Sequence, residues 1–150
     1  LNKSDIDKPY NVGYIAGVFD LFHIGHLNMF KRAKEQCRYL IVGVVSDEGV
    51  RLNKQAEPFV PFDERIEMVR SCKYVDEAIK LPLDFCGTRD MFKIYHFDVQ
   101  FSGSDYEHDP AWLAEKEFLE KNGSTMVFFP YTQSTSSTKL KKAIENRINN

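Results

Sequence analysis

Residues 39–45 restrict the fold more than any other segment of this chain. They read YLIVGVV and are almost entirely apolar. A strand with one face in water alternates apolar and polar residues, whereas a strand of a parallel sheet is covered on both faces and reads as a continuous apolar run. We therefore predict a parallel β-sheet with helices packed on both of its sides.

Strand-like and helix-like segments alternate along the rest of the chain. After the first strand, Leu27, Phe30, Ala33 and Cys37 recur at the spacing of one buried helix face. Strands are predicted over residues 11–18, 39–45, 75–81, 98–102 and 125–131, and helices over 27–37, 61–72, 88–95, 109–122 and after 138. Residues 49–60 are predicted to form a polar loop. The pattern predicts an α/β fold, a Rossmann-like doubly wound sheet of about five parallel strands with helices on both faces.

Length and composition limit the class of protein. The chain has 150 residues, of which 43% are hydrophobic and 28% charged, as is usual for one folded domain. We expect a single domain over residues 1–150; the first residue is Leu rather than Met, which is compatible with excision from a longer polypeptide. No apolar segment approaches the roughly 20 residues of a transmembrane helix, and the first residues lack the apolar core of a signal peptide. A cytoplasmic location without membrane insertion is expected.

Charge and cysteine content argue against two further kinds of protein. The chain has 20 Lys and Arg against 22 Asp and Glu, and its net charge of −2 offers no broad basic surface for nucleic acid. Cys37, Cys72 and Cys86 lack C-x-x-C spacing, which indicates reduced packing residues rather than a disulfide framework or a zinc site. Any bound phosphate must therefore be held by a local site.

Residues 17–26 read GVFDLFHIGH and lie where the first predicted strand gives way to a helix. The N–H groups and the dipole of a helix N-terminus favour an anion, and glycine lets a phosphate approach the backbone. His23 and His26 could both donate ring N–H groups to one phosphate. Taken alone, the H-x-x-H spacing is equally typical of a capping or buried structural pair. A zinc site would need further ligands, and only His96 and His108 remain, without a matching spacing.

Three loops follow predicted strands at residues 19–26, 102–109 and 132–138. Ligands of doubly wound sheets bind outside the carboxyl ends of the strands, so we predict that these loops converge on one pocket. In the second loop Tyr106 is a candidate ligand contact, whereas Trp112 is predicted to pack in the core.

The order of these motifs resembles the cytidylyltransferase family, part of the superfamily of H-x-G-H nucleotidyltransferases. Residues 17–26 resemble the family signature G-x-F-D-x-x-H-x-G-H. Residues 39–48 look like the family's second strand and acidic turn, and residues 60–65 look like its next helix start. Residues 73–79, KYVDEAI, resemble its R-Y-V-D-E-V-I segment, and the resemblance extends over residues 11–144.

The resemblance implies an activity. Enzymes of this family transfer CMP from CTP to the phosphate of a small alcohol and release pyrophosphate, and glycerol 3-phosphate is the first acceptor we consider. A substrate phosphate oxygen attacks the α-phosphorus in line, so that the protein contributes positioning and charge stabilisation. The resemblance also implies Mg²⁺ bound with the triphosphate and a homodimer.

The resemblance assigns roles to particular residues. His23, His26 and Lys54 would be catalytic, the histidines stabilising charge on the triphosphate. Lys54, Arg65, Asp20 and Arg89 would contact the acceptor substrate, although Asp20 is expected to be mainly structural. No residue is assigned as a direct metal ligand. The nucleotide would be bound by Gly17, Val18, Phe19, Gly25, Ser104, Asp105, Tyr131, Thr132, Gln133, Ser136, Ser137 and Thr138.

Three positions depart from the family pattern. Tyr131 stands where relatives carry the arginine of R-T-x-G-I-S-T-[ST], and Ala56 stands where some carry a second lysine. Arg51, Arg89 or Lys93 would then have to supply the missing positive charge. Residues 103–106, GSDY, are closer to the G-G-D-Y of heptose phosphate adenylyltransferases than to the G-D-D-W of the glycerol 3-phosphate enzymes. An adenylyltransferase acting on a sugar phosphate and a non-catalytic nucleotide-binding domain therefore remain alternatives.

Overall fold

The computed structural model describes residues 5–54, 56–81, 87–130 and 136–149, and of Asp5 and Lys54 the backbone only. Five parallel strands form one sheet in the order β3-β2-β1-β4-β5. The strands are β1 (Tyr10–Gly17), β2 (Cys37–Val45), β3 (Glu77–Leu81), β4 (Val99–Gly103) and β5 (Thr125–Phe129). The predicted Rossmann-like α/β sheet is confirmed.

Helices connect successive strands and cover both faces of the sheet. They are α1 (Ile24–Gln36), α2 (Asp47–Lys54), α3 (Phe62–Arg70), α4 (Thr88–Tyr95), α5 (Pro110–Lys121) and α6 (Ser137–Asn149). Asp109 begins α5 as predicted, because its carboxylate accepts a hydrogen bond from Ala111 N–H and Pro110 occupies the first turn.

The two faces of the sheet are packed by different helices. Alternating residues of β1 separate them: Ile15 faces α1 and α3, where Phe30 and Val69 are fully buried. Tyr14 faces α4 and α5 on the opposite side and stacks on Phe97 with ring centroids 4.8 Å apart. β2 is covered on both faces, which explains why its sequence is continuously apolar.

The position of β1 determines where a ligand can bind. β1 pairs with β2 on one side and with β4 on the other. The chain therefore adds β2 and β3 on one side of β1 and then returns to add β4 and β5 on the other side. The connections after β1 and after β4 therefore leave the sheet in opposite directions. A crevice at the carboxyl ends of these two strands is the usual ligand site of such a sheet.

The prediction of a loop over residues 49–60 is wrong in its first part, where α2 forms. Ser46 Oγ accepts a hydrogen bond of 3.1 Å from Gly49 N–H, which caps the helix start. Asp47 and Glu48 lie in the first turn, where the helix dipole favours acidic side chains. Val50, at 2% exposure, is the buried anchor of a helix whose other residues are too polar to show a periodic stripe.

Candidate active site

A cleft of about 340 Å³ opens at the carboxyl ends of β1 and β4. The described residues of all three predicted loops contribute to it, so their predicted convergence is confirmed. Residues from the nucleotide-binding and catalytic predictions that line it are Gly17, Val18, Phe19, His23, Gly25, His26, Ser136, Ser137 and Thr138. The other lining residues are Ala16, Asn28, Met29, Arg32, Ser102, Gly103, Tyr106, Trp112, Phe129 and Pro130.

His23 and His26 cap the helix and line the cleft at the same time. His23 is the N-cap of α1, and its Nδ1 accepts a hydrogen bond of 3.0 Å from Gly25 N–H. In return, Nδ1 of His26 accepts from His23 N–H at 3.2 Å. A neutral imidazole with an accepting Nδ1 carries its proton on Nε2. The cap thus selects the tautomer in which each ring can donate an Nε2–H group to a phosphate oxygen.

Burial keeps both rings uncharged. It lowers the pKa of His26 to about 3, an effect increased by the neighbouring His23 and opposed by Asp20. Burial also lowers the pKa of His23. At neutral pH the pair therefore supplies hydrogen-bond donors but no positive charge.

The lowered pKa of His26 predicts a loss of stability in acid. Below pH 6.5 the unfolded chain protonates this histidine, whereas the folded protein resists protonation until about pH 3. The contribution of this histidine to the free energy of unfolding should therefore be fully present above pH 6.5 and fall by up to about 1.4 kcal/mol per pH unit between pH 6.5 and about pH 3. Urea unfolding over pH 4–7 should show a shallower fall for His26→Gln than for the wild type. The control is His108→Gln at an exposed position. Equal slopes in wild type and His26→Gln would contradict the prediction.

Phe19 connects the first strand to the histidines through an unusual backbone conformation. Its φ of 57° and the φ of 51° at Leu21 are left-handed, which costs a non-glycine residue about 1–2 kcal/mol. The ring of Phe19 is buried and packs edge-on against His26 and Phe30, with centroids 5.3 and 5.2 Å away. These contacts hold the loop in its strained conformation and position the His26 ring.

Gly17→Ala is predicted to disturb this arrangement. A Cβ at residue 17 would lie 2.8 Å from the Phe19 ring, which is already enclosed. We expect a destabilisation of about 1–3 kcal/mol by overpacking, and a loss of activity because His26 moves with Phe19. Thermal melting and steady-state kinetics measure the two effects. Gly87→Ala is the control, because its Cβ meets Asp90 Oδ2 at an ordinary 3.5 Å. Full activity of Gly17→Ala would contradict the proposed role of Phe19.

Asp20 makes structural contacts in this geometry, as expected, and its assignment to the acceptor site stays a prediction. Its carboxylate is 3% exposed and accepts hydrogen bonds from the backbone N–H groups of Phe59 and Val60 at 2.9 and 3.0 Å. Lys141 of α6 lies 3.3 Å from the same carboxylate, and Ser137 Oγ donates to the Asp20 carbonyl at 2.7 Å. Asp20 thereby ties the segment after α2 and the start of α6 to the first motif.

Arg65 also makes structural contacts, and its assignment as a substrate contact stays a prediction. The residue is 1% exposed and its guanidinium donates hydrogen bonds to the carbonyls of Val18, Val45 and Val60 at 2.7–2.8 Å. A further donor contacts Asp47 Oδ1 at 2.6 Å. Burial tends to raise the pKa of Asp47, but its hydrogen bonds, led by that from Arg65, bring the pKa below its usual value. Arg65 therefore joins the ends of β1 and β2 behind the cleft.

The remaining predicted residues fall into three groups. Arg89 does not line the cleft: it pairs with Glu115 at 3.1 Å and lies over the Phe118 ring. Ser104 and Asp105 begin a short 3₁₀ turn, Ser104–Tyr106, and Gly103 and Tyr106 line the cleft. The side chain of Lys54 and the residues Tyr131, Thr132 and Gln133 lie outside the described residues.

Sequence reasoning missed Asn28, Met29 and Arg32 on α1, and it favoured core packing for Trp112. Gly25, Asn28, Met29 and Arg32 all line the cleft, and their spacing is that of one helix face. That spacing could have been recognised once the helix start was known, but the charge of Arg32 suggested a solvent-facing position. Trp112 lines the cleft as well as packing against the core. Its ring stacks on Tyr106 with centroids 4.6 Å apart.

Among the described residues no group of three or more His, Cys, Asp and Glu side chains could hold a metal ion. His96, one of the two further zinc candidates, instead ends α4 in a left-handed conformation. The helices in the described ranges are all too short or too polar to cross a membrane.

Sequence comparisons place this geometry among known proteins. The family described as Cytidylyltransferase-like matches residues 14–143. The chain is 37% identical over 139 residues to an FAD synthase from Thermococcus kodakarensis, with 89% of each protein covered. It is 41% identical over 138 residues to an ethanolamine-phosphate cytidylyltransferase from Dictyostelium discoideum, covering 90% of this chain but 38% of that protein. It is 32% identical to a glycerol-3-phosphate cytidylyltransferase from Bacillus subtilis, covering 85% of this chain and 92% of that protein.

Solved structures share the fold. A lipopolysaccharide core biosynthesis protein from Thermoplasma volcanium superposes with a TM-score of 0.67 at 25% identity, covering 84% of this chain and 99% of that one. A pantoate-beta-alanine ligase from Francisella tularensis superposes with a TM-score of 0.62 at 14% identity, covering 91% and 69%. The second likeness concerns the fold alone.

Proposed function

This chain belongs to the cytidylyltransferase-like family and is a nucleotidyltransferase, and we propose that it transfers CMP from CTP to a small phosphorylated alcohol. Glycerol 3-phosphate is the first acceptor to test, and the products are a CDP-alcohol and pyrophosphate. The observation that carries the proposal is the cleft at β1 and β4, into which two neutral histidines of fixed tautomer face. Similarity to two phospho-alcohol cytidylyltransferases supports it.

The proposed reaction follows from the chemistry of this cleft. An oxygen of the acceptor phosphate attacks the α-phosphorus of the nucleotide, and the bond to the bridging oxygen breaks as pyrophosphate leaves. Negative charge shifts toward the phosphate oxygens during this exchange, so donors aimed at them accelerate it. His23 and His26 supply Nε2–H groups there, and the N-termini of α1 and α6 add backbone donors.

Mg²⁺ fits this site as an ion carried by the nucleotide. The described residues that line the cleft include no carboxylate, so phosphate oxygens and water would form its coordination shell. When bound, the ion would neutralise part of the triphosphate charge. Oriented donors from the two histidines remain the protein's own contribution.

Adenylyl transfer from ATP is the second candidate. It is favoured by the similarity to several FAD synthases and by the loop at residues 103–106. The stacked pair of Tyr106 and Trp112 in the cleft offers a flat apolar surface that a purine or a flavin ring could cover. The acceptor would then be a sugar phosphate or a flavin mononucleotide.

A matrix of donors and acceptors distinguishes the candidates. CTP and ATP are each incubated with Mg²⁺ and glycerol 3-phosphate, phosphoethanolamine, a sugar phosphate or flavin mononucleotide, and pyrophosphate release is measured. The proposal expects release that requires CTP and a small phospho-alcohol. Thermal stabilisation by CTP but not by ATP should accompany it. Pyrophosphate release with ATP but not with CTP would overturn the proposal of cytidylyl transfer. No release with any pair of nucleotide and acceptor would favour a non-catalytic nucleotide-binding domain.

We also propose that the protein is a homodimer, as the family resemblance implies. Light scattering at micromolar concentration should give twice the chain mass of 17.4 kDa. A monomer mass would contradict this proposal without affecting the proposed chemistry.

A further inference from the structure

We propose that Arg32 binds a phosphate group of the substrates and supplies positive charge to the cleft. The inference rests on the proposed nucleotidyl transfer but not on which base the nucleotide carries. Arg32 lies on α1, outside the motif of residues 17–26, on the helix face that also presents Gly25, Asn28 and Met29 to the cleft.

The charge of the substrates creates the need for such a residue. A nucleoside triphosphate and a phosphorylated alcohol together bring several negative charges into one cleft. His23 and His26 are neutral because burial lowers the pKa of each. Among the described residues that line the cleft, Arg32 is the one with a permanent positive charge.

The geometry directs the guanidinium toward the ligand side of the sheet. Side chains on a helix lean toward its N-terminus, which for α1 lies at the carboxyl edge of the strands. Nη1 of Arg32 accordingly reaches the carbonyl oxygen of Pro130, directly after β5, at 3.4 Å. Ser136 and Ser137, at the start of α6, line the same cleft. The fork of a guanidinium matches two phosphate oxygens at once.

A purely structural role explains less of what is seen. The hydrogen bond to Pro130 is long and exposed, and such a bond contributes little to stability. Within the described ranges of the chain, this bond uses one of the five N–H donors of the guanidinium. Arg65, by contrast, is buried with its donors on three carbonyls and one carboxylate. Arg32 thus retains the exposure and the donors that binding an anion requires.

The test compares Arg32→Gln with Lys31→Gln. Lys31 is the residue before Arg32 on the same helix, is exposed and does not line the cleft. Its variant therefore removes the same charge from the same part of the protein without touching the cleft. We expect Arg32→Gln to raise the KM for one substrate about tenfold or more, the effect of losing a charged hydrogen bond. Lys31→Gln should change KM less than twofold. Arg32→Lys should recover part of the loss, because it keeps the charge without the fork.

Two arms identify the phosphate that Arg32 contacts. A raised KM for the nucleoside triphosphate, with the KM of the acceptor unchanged, assigns Arg32 to the triphosphate. The opposite pattern assigns it to the acceptor phosphate, and either result supports the proposal. Equal kinetics for Arg32→Gln and Lys31→Gln, with equal melting temperatures, would overturn it.

A binding measurement separates this proposal from the proposed function. Calorimetric titration of the wild type and both variants with CTP, ATP and inorganic pyrophosphate needs no turnover. Weaker binding of any of these anions by Arg32→Gln, compared with Lys31→Gln, supports the proposal even if ATP is the true donor. If the three proteins bind the three anions equally and acceptor kinetics do not differ, or if the wild type binds none of them, the proposal fails.

Discussion

Replacing His26 by alanine is expected to lower kcat by about two orders of magnitude or more, the effect of losing one donor that stabilises developing charge. The Nε2–H group of His26 faces the cleft because Nδ1 is occupied by the His23 N–H group. Steady-state release of pyrophosphate measures the change. A variant with full activity would contradict the proposed role of His26.

Two further substitutions separate catalysis from capping. Asparagine at position 26 offers Oδ1 near the position of Nδ1, so it can accept from the His23 N–H group but has no donor at the position of Nε2. Glutamine reaches the position of Nε2 with an amide group. We expect His26→Asn to melt close to the wild type and to be as inactive as His26→Ala, and His26→Gln to recover part of the rate. If activity followed melting temperature across the three variants, His26 would act only through the helix cap.

Replacing Arg65 by methionine is expected to destabilise the domain by about 3–5 kcal/mol, the usual effect of breaking a buried ion pair. The substitution would leave three part-buried carbonyls and Oδ1 of Asp47 without the donors that Arg65 provides. Domains of this size are stable by about 5–15 kcal/mol, so a loss of this size would remove a large share of the stability. Urea unfolding and circular dichroism measure the loss.

Matched variants test whether the loss comes from the buried network. Arg65→Lys keeps the charge but cannot reach four acceptors in different directions, so we expect it to remain clearly destabilised. Arg70, on the same helix, is exposed and pairs with Glu67 at 3.1 Å. Arg70→Met should therefore change stability by no more than about 0.5 kcal/mol. An Arg65→Met protein of normal stability with a raised KM for the acceptor would instead support the predicted contact between Arg65 and the substrate.

Much of the fold could be predicted because its signals are local. The apolar residues 39–45 require cover on both faces, and the periodicity after residue 26 requires a helix. The convergence of three loops followed from the direction of parallel strands. α2 was missed because it is short and polar, and because its stability comes from the Ser46 cap and the burial of Val50.

The sequence by itself determined the parallel sheet, the edge at which ligands bind and the placement of His23 and His26 at a helix start. Only the tertiary structure decided which arginine is buried and which one lines the cleft. Arg65 and Arg32 both stand on amphipathic helices beside other charged residues, and local sequence treats them alike. Arg65 is buried because the carbonyls of Val18 and Val45, distant in sequence, meet that of the nearby Val60 at one point. Arg32 lines the cleft because α1 begins at the carboxyl edge of β1 and turns the face that carries Gly25, Asn28 and Met29 toward it. Burial and orientation depend on such non-local contacts, which no pattern within a single helix contains.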